Sequence, residues 1–262
     1  MFPNERLQRI CDLVNERGSI GVIDLSRMLD ISEVTIRRDL NTLARANHIQ
    51  RTRGGAMSLR PVGVSQSGAE LIRSQQNAEE KCKIAEYAYR LINDKDTIFL
   101  DCSSTVNELA KIIAREGNKH ITVVAHAFST VETLSGCENV SVIMLGGEIN
   151  YPYRQVEGTL TTEAIRNMRA DKCFIGINGI DESFGFSFPR LIEIDLKGGM
   201  ISSSRHSYML ADHTKFGRTY MARLSRPCEY VITDTRLPDY DYQWMTGQCK
   251  LIFADERGDV DE

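Results

Sequence analysis

From residue 79 onward, the chain alternates between short apolar runs and stretches with helical periodicity. The apolar runs predict strands at 97–101, 121–125, 140–145, 173–177, 206–211 and 230–233. Helical periodicity between them predicts helices near 79–92, 105–115 and 128–134. Strands that alternate with helices favour a parallel sheet, because each helix carries the chain back to the start of the next strand. The sequence therefore predicts a layered α/β domain over residues 79–262.

A smaller unit with a different pattern precedes this domain, over residues 1–59. An apolar stripe predicts a first helix, beginning near Asn4 and ending at Gly18. A second helix is predicted at Val22–Leu29, and Asp30–Ser32 forms a tight turn in which Ser32 can cap the third helix, Glu33–Ala46. A short helix, a turn and a longer basic helix form the layout of a helix-turn-helix.

The outward face of the third helix is suited to reading DNA. With Ile36 placed inward, the helical step turns Val34, Arg38 and Asn41 outward, with Thr35 and Arg37 on the flanks. Arginine can bind guanine with two hydrogen bonds, asparagine can do the same with adenine, and threonine can contact a phosphate or a methyl group. An ordinary solvated polar face is the alternative for an isolated helix, and the helix-turn-helix context favours DNA.

A wing follows the third helix. Ile49–Arg53 alternates like a strand, Gly54-Gly55 can turn, and Ala56–Ser58 returns. Arginines near the tip of such a hairpin can lie along the phosphate backbone or enter the minor groove. The predicted contacts to double-stranded operator DNA are Ser32, Val34, Thr35, Arg37, Arg38, Asn41, Arg51, Arg53 and Gly54.

Charge and composition narrow the function classes. The net charge is −4, yet residues 1–60 contain ten basic and seven acidic side chains, so attraction for DNA is confined to this end. No apolar run approaches the roughly 20 residues that cross a bilayer, and the start lacks a signal pattern, which predicts a cytoplasmic protein without membrane association. The seven cysteines and five histidines lack metal-site spacing, so we expect no metal and no cofactor. Residues 60–78, rich in Gly, Ser and Gln, are predicted to be a linker with a short helix near 69–73.

Polar residues follow the predicted strands, where parallel sheets bind ligands. They include Asp101, Ser103, Ser104, Thr105, His126, Gly147, Asn178, Asp181, Asp212 and Lys215. Hydroxyls and backbone N–H groups at a helix start favour an anion, so 101–105 is a candidate phosphate cradle, with an ordinary Ser/Thr N-cap as the alternative. Glu193 and Lys197 share a helical face, and a surface ion pair is the alternative for them.

The helix-turn-helix and strand-end motifs together resemble the DeoR family of bacterial regulators. The resemblance is carried by T-I-R-R-D-L at 35–40 with R-T-R-G-G-A at 51–56, and by D-C-S-S-T, G-I-N-G-I-D and A-D-H-T-K-F-G at 101–105, 176–181 and 211–217. It implies a second domain similar in fold to ribose-5-phosphate isomerase that binds phosphorylated sugars. By this resemblance Ser103, Ser104 and Thr105 hold phosphate. The rest of the pocket would comprise Asp101, Asn178, Asp181, Glu193, Lys197, Asp212 and Lys215.

Departures from the family pattern are concentrated at the same pocket. Cys102-Ser103 stands where a small residue and glycine are common, and Ala125-His126-Ala127 where threonine-asparagine-serine is usual. The stretch 184–188 is more aromatic than its counterpart. The resemblance therefore leaves the identity of the sugar open. We expect Lys197, Lys215 or Arg154 to supply the cation for its phosphate.

The sequence thus predicts a transcriptional regulator of a carbohydrate operon whose operator affinity depends on a sugar phosphate. Repression is the preferred interpretation, and the sequence leaves activation open as the alternative. Paired DNA half-sites predict a homodimer or tetramer. An isomerase is the alternative, because Asp181, Glu193 and Lys197 supply a carboxylate base and a cation. A constitutive architectural DNA-binding protein does not account for the predicted pocket.

Overall fold

The structure, a computed structural model, describes residues 6–7, 9–11, 13–14, 19–45, 49–52, 54–58, 76–234, 242–245 and 247–255. It divides into an N-terminal unit, Met1–Arg73 with Tyr151–Tyr153, and a C-terminal unit, Ser74–Asn150 with Arg154–Glu262. Most of the predicted linker, both predicted ends of the first helix and the predicted helix at 69–73 lie outside the described residues.

The N-terminal unit is a helix-turn-helix with a small antiparallel sheet. Residues 6–7, 9–11 and 13–14 are helical. The remaining elements are β1 (Ser19–Gly21), α1 (Val22–Leu29), α2 (Glu33–Arg45), β2 (Ile49–Thr52) and β3 (Gly55–Ser58). Three helical elements and the sheet enclose one apolar core, whose fully buried members include Ile10, Leu25, Ile36 and Leu40.

The sheet of this unit has the order β1–β3–β2. The sequence indicated the β2–β3 hairpin but gave no strand at 19–21, because three residues are too short to show a period of two. Pairing of β1 with β3 brings the backbones close together. A Cβ on Gly55 would lie 2.2 Å from the carbonyl oxygen of Ile20, so this position requires glycine.

The C-terminal unit contains five α-helices, two short 3-10 helices (His213–Lys215 and Gln243–Met245) and twelve strands among the described residues. Its first half comprises α3 (Ala78–Arg90), β4 (Thr97–Leu100), α4 (Ser104–Glu116), β5 (Ile121–Ala125), α5 (Phe128–Leu134), β6 (Val140–Met144), β7 (Glu148–Asn150), β8 (Gln155–Glu157) and α6 (Thr159–Arg166). Its second half comprises β9 (Ala170–Gly176), β10 (Gly179–Asp181), β11 (Gly185–Phe188), α7 (Leu191–Ser202), β12 (Ser204–Leu210), β13 (Ala222–Arg223), β14 (Tyr230–Thr233) and β15 (Lys250–Phe253).

Seven of these strands form one parallel sheet in the order β15–β14–β12–β9–β4–β5–β6. Helices α3 and α4 pack on one face of it, and α6 and α7 on the other. Side chains of β4 alternate between the two cores, with Ile98 and Leu100 on the α3–α4 side and Phe99 on the other. The α/β fold predicted for this part of the chain is confirmed. Within the described residues no helix is long and apolar enough to cross a membrane.

The sequence missed β15, the edge strand of the main sheet, and several elements outside that sheet. The latter are the β7–β8 hairpin, the small sheet β10–β11–β13 and the helix α6. Their strands are two to four residues long, too short for apolar alternation to show. The hairpin matters for the site, because β8 lies beside the carboxyl end of β5 through the bridge Ala127–Gln155.

Candidate DNA-binding and effector sites

Ser32 begins the second helix of the helix-turn-helix as predicted. Its Oγ accepts a hydrogen bond from the backbone N–H of Thr35 at 3.4 Å and lies 2.9 Å from the Thr35 Oγ1. A cap of this kind satisfies a backbone donor that the helix itself cannot. The two hydroxyls engage each other, and Val34 between them is 78% exposed.

The outer face of α2 presents the predicted DNA contacts to solvent. Val34, Arg37, Arg38 and Asn41 are exposed, while Ile36 is fully buried. Arg37 pairs with Glu33 at 3.2 Å on this face. Both partners are about half exposed, so the pair is weak and phosphate can displace Glu33.

Asp39 has a structural role in the N-terminal unit. Its carboxylate accepts two hydrogen bonds from Arg6, at 2.6 and 3.2 Å, and is 6% exposed. The hydrogen bond with Asp39 raises the pKa of Arg6, although burial acts in the opposite direction. The pair fixes α2 against the first helical segment and keeps this acid away from the exposed face.

The wing is joined to α2 by Arg51. Its Nε donates to the Asn41 Oδ1 at 3.0 Å, and its Nη1 donates to the carbonyl oxygen of Gly55. Two predicted DNA contacts therefore bind each other in this structure. Gly54 forms the turn at a φ of +119°, which favours glycine. Arg53 lies outside the described residues.

In the C-terminal unit, an ion pair between Asp101 and Lys197 occupies the carboxyl edge of the sheet. The Lys197 Nζ donates to the Asp101 Oδ2 at 2.8 Å, and both residues are at most 3% exposed. Glu193, one turn earlier on α7, lies 3.6 Å from the same ammonium, and the ring centre of Phe188 lies 4.4 Å from it. The surface ion pair considered for Glu193 and Lys197 is thus wrong, because a second carboxylate, the buried Asp101 directly after β4, also binds the lysine and Lys197 is 3% exposed.

Hydrogen bonds and charge keep both partners ionised. Burial by itself raises the pKa of Asp101, but Lys197 and the backbone N–H groups of Ser103 and Gly176 hold it below its usual value. Burial likewise lowers the pKa of Lys197, and the carboxylates of Asp101 and Glu193 raise it above its usual value. Each charge is therefore stabilised by the other, as a buried pair requires.

The predicted phosphate cradle lies directly beside this pair. Ser103 is the N-cap of α4, and its Oγ accepts from the backbone N–H of Val106 at 3.3 Å, so the N-cap alternative holds for this hydroxyl. Ser104 and Thr105 form the first turn, where helix geometry leaves backbone N–H groups without intrahelical acceptors. The loop is packed closely, since a Cβ on Gly176 would lie 2.4 Å from the Cβ and Oγ of Ser103.

His126 belongs to the same region. It is 1% exposed, and its Nδ1 lies 3.2 Å from the carbonyl oxygen of Val156. Burial lowers the pKa of His126, and the charges of Asp101, Lys197 and Glu157 also act on it. His126 is therefore a buried, neutral residue close to the Asp101–Lys197 pair.

Three residues that the sequence did not single out extend this cluster. The Glu157 Oε1 accepts from the Arg190 Nη2 at 2.5 Å, and its Oε2 accepts from the Gln155 Nε2 at 2.9 Å. Burial raises the pKa of Glu157, and Arg190, Asn150 and Gln155 lower it below its usual value. One signal was available: Arg190 immediately precedes α7, and a cation is unfavourable at a helix N-terminus unless an acid elsewhere pairs with it.

The structure places the remaining predicted residues elsewhere along this edge. Asp212 binds Asn77 at 3.1 Å and Lys215 at 3.5 Å, so these residues form a second cluster at the start of α3. Burial raises the pKa of Asp212, and Lys215 and the hydrogen bonds from Thr214 lower it below its usual value.

Asp181, Gly147 and Asn178 are the last of the predicted effector residues. The first two lie next to residues outside the main sheet, and Asn178 comes shortly after the end of β9. The Asp181 Oδ1 accepts from the backbone N–H of Ser183 at 3.0 Å within the β10–β11 turn. A Cβ on Gly147 would lie 2.0 Å from the Thr161 Oγ1 and 2.7 Å from the carbonyl oxygen of Glu157, and Asn178 comes two residues after Gly176.

The cations expected to meet phosphate already have acidic neighbours. Lys197 pairs with Asp101, Lys215 with Asp212, and Arg154 with Glu132 at 2.6 Å. Among the residues that the structure describes, no group of three or more His, Cys, Asp or Glu side chains is arranged to hold a metal ion.

Known proteins share this domain arrangement. A model of the DeoR-like helix-turn-helix domain matches residues 6–62, and a model of the DeoR C-terminal sensor domain matches residues 76–235. The HTH-type transcriptional regulator GolR of Listeria innocua is 34% identical over 240 residues, covering 90% of this chain and 92% of that protein. The glycerol-3-phosphate regulon repressor of Escherichia coli is 31% identical over 224 residues, covering 86% and 87%.

Among solved structures, ribose 5-phosphate isomerase A of Methanocaldococcus jannaschii aligns with a TM-score of 0.39 at 17% identity, over 53% of this chain and 55% of that one. The family assignment rests on the two domain models, which together match most of the chain, and on relatives of similar length. The chain belongs to the DeoR family of transcriptional regulators, with a DNA-binding helix-turn-helix and a C-terminal sensor domain.

Proposed function

We propose that this protein represses a carbohydrate operon and that a phosphorylated sugar, bound at the carboxyl edge of the main sheet, changes its affinity for the operator. The observation that carries the proposal is the buried Asp101–Lys197 pair beside the first turn of α4. Buried ionised groups are costly to fold around, so their presence at a ligand-binding edge favours a functional role. The relative from E. coli is named as a repressor of a glycerol-3-phosphate regulon, which supports both parts.

The two ends of the ligand would be held differently. Backbone N–H groups of Ser104 and Thr105 favour the phosphate, because a helix N-terminus carries partial positive charge. Side chains around Lys197 would orient the sugar. For the operator affinity to change, the ligand must bind one conformation of the protein more tightly than another.

The same geometry disfavours the isomerase considered from the sequence. Asp181, one of its three required groups, is bound to Ser183 in an exposed turn, and Lys197 is neutralised by Asp101. A proton abstraction would need a carboxylate and a cation acting on the same substrate carbon. We therefore propose that the site binds its ligand without transforming it and without a cofactor.

DNA binding and effector binding can be tested together. An operator would first be selected from random duplex DNA with the purified full-length protein, and its affinity measured by fluorescence anisotropy at fixed salt. Glucose 6-phosphate, fructose 1-phosphate, ribose 5-phosphate, glycerol 3-phosphate and the unphosphorylated parents would then be added. Release by one or two phosphorylated compounds is expected, and indifference to all such compounds would contradict the effector half of the proposal.

Matched variants locate the effect. Ser104→Ala, which removes the hydroxyl beside the N–H groups at the start of α4 and keeps the N–H itself, should weaken effector binding, whereas Ser202→Ala, at an exposed serine at the end of α7, should not. A homodimer or tetramer is also proposed, because a helix-turn-helix normally reads two half-sites. Sedimentation equilibrium should give a mass of twice or four times 29.6 kDa, and the selected operator should contain a repeated half-site.

A further inference from the structure

Two fully buried hydrogen-bond acceptors near the Asp101–Lys197 pair have no protein donor. Within the described residues 76–234, no protein group donates to the Nε2 of His126 or to the Oε1 of Gln155, and each of these side chains is 1% exposed. A buried polar atom without a hydrogen bond destabilises the folded state, so such atoms call for a ligand or another explanation.

The chemistry of both atoms is fixed by their neighbours. The Nδ1 of His126 faces the carbonyl oxygen of Val156, which can only accept, so Nδ1 carries the proton. Burial lowers the pKa of His126, which keeps the ring neutral and leaves Nε2 as an acceptor. The Gln155 Nε2 donates to Glu157, so the amide oxygen Oε1 is the atom that remains, and it too is an acceptor.

Contacts through β8 and α7 bring the two residues into one region. The His126 Nδ1 contacts the carbonyl oxygen of Val156 in β8, and Gln155 is the first residue of this strand, which has three residues and spans about 10 Å. Gln155 also forms a backbone bridge with Ala127, the residue that follows His126. Glu157 in turn pairs with Arg190, directly before α7. One turn later on α7, Glu193 adds a carboxylate that lies 3.6 Å from Lys197.

We propose that His126 and Gln155 form an acceptor wall that binds hydroxyl groups of the effector, so that the effector must present at least two hydrogen-bond donors there. The inference rests on the proposed effector site. It concerns the end of the effector that carries the hydroxyl groups, not the end that carries the phosphate. Two buried acceptors repel a phosphate oxygen and bind an O–H group, so the wall receives the polyol end. An analogue without those hydroxyls leaves both acceptors buried and unbonded, which is the strongest form of discrimination a pocket offers.

Two variants remove the acceptors with little other change. In His126→Asn, the asparagine Nδ2 can take the place of the histidine Nδ1 and donate to Val156, while the acceptor at Nε2 is lost. Gln155→Met removes the amide at similar volume, together with its hydrogen bond to Glu157, whose carboxylate keeps the bonds from Asn150 and Arg190. Ser203→Ala is the control, because Ser203 is also buried and donates to the carbonyl oxygen of Ile165, but it precedes β12 at the opposite edge of the sheet.

The test is calorimetric titration of the full-length protein and its variants. The probes are glucose 6-phosphate, fructose 1-phosphate, ribose 5-phosphate, their unphosphorylated sugars and inorganic phosphate. For each sugar phosphate that binds the wild type, His126→Asn and Gln155→Met should raise the Kd at least tenfold. Ser203→Ala should leave it within twofold, and inorganic phosphate should bind all four proteins alike.

Other outcomes separate this inference from the proposed function. Unchanged Kd values for the sugar phosphates in both acceptor variants would overturn the acceptor wall and leave the effector proposal intact. Binding of an unphosphorylated sugar that is weakened by both variants, with no preference for phosphate, would support the wall and refute the sugar-phosphate assignment. A wild-type protein that binds none of these compounds would overturn both.

Discussion

Removing Lys197 tests whether the buried charges of the sensor domain stabilise each other. Lys197→Met keeps the length of the side chain but leaves the Asp101 carboxylate, which is 1% exposed, without its cation. Breaking a buried pair from one side typically costs about 3–5 kcal/mol. Asp101 retains hydrogen bonds from the N–H groups of Ser103 and Gly176, so we expect the lower end, about 3 kcal/mol.

The single tryptophan makes this loss measurable in one part of the protein. Trp244 belongs to the C-terminal unit and packs on Phe186, with ring centres 6.0 Å apart, so its fluorescence reports the unfolding of that unit. With a urea m-value of about 2 kcal/mol/M, the midpoint should fall by about 1.5 M. The double variant Asp101→Asn with Lys197→Met removes both charges of the fully buried pair and leaves only the partly exposed Glu193, so it should recover most of the loss.

The pH dependence of the stability provides a second test of this reasoning. The lowered pKa of Asp101 means that its pairing stabilises the native protein above the carboxyl's unfolded pKa, and that this stability is lost as the pH falls through the folded value. Without Lys197 the buried carboxyl takes up a proton at higher pH, so the deficit of Lys197→Met should shrink between pH 7.5 and pH 5. A midpoint shift below about 0.5 M, or a double variant as unstable as the single one, would refute this reasoning.

Three further predictions concern other residues. Because burial lowers the pKa of His126, the urea midpoint reported by Trp244 should fall as the pH drops from 7.5 towards 5, and His126→Asn should flatten that slope; an unchanged slope would assign the titration to another group. Gly176→Ala forces a Cβ to within 2.4 Å of Ser103, so we expect a loss of about 1–3 kcal/mol in the same urea experiment together with loss of effector binding, and wild-type titration curves would contradict the close packing. Val34→Ala should change stability by less than about 0.5 kcal/mol yet weaken operator binding in anisotropy, most of all at thymine-containing sites, and equal affinity would remove Val34 from the interface.

Much of the fold could be predicted because its signals are local. Ile121–Ala125, Phe128–Leu134 and Val22–Leu29 occur with the bounds that periodicity and capping predicted. Ile121–Ala125 is an apolar run of strand length, and the two helices end directly before turn residues, Asp30 and Ser135-Gly136. The exposed face of α2 was predictable for the same reason, since burying Ile36 fixes the direction of every other side chain on that helix.

The site was only partly predictable because its contacts join distant parts of the chain. Lys197 and Asp101 are 96 positions apart, and Arg190 and Glu157 are 33 apart. The position of Asp101 at a strand end identified it as a site residue. No sequence pattern shows that α7 places Lys197 next to Asp101, so that the Glu193–Lys197 pair lies inside the domain and not at its surface. Arg51 and Asn41 show the same limit in the other unit, where two residues each suited to DNA bind each other.

The charge balance of the effector site bears on how the ligand is held. Its ion-pair network contains three carboxylates, those of Asp101, Glu157 and Glu193, against the two cations Lys197 and Arg190. A dianionic phosphate placed at this network would be repelled, whereas hydroxyl donors would be bound. We therefore expect the phosphate to contact the backbone N–H groups at the start of α4, where no side-chain cation is needed. Lys197→Arg should therefore change the relative Kd values of different sugar phosphates. It should change the ratio of Kd values between a sugar and its phosphate less, and the calorimetric titrations described above measure both quantities.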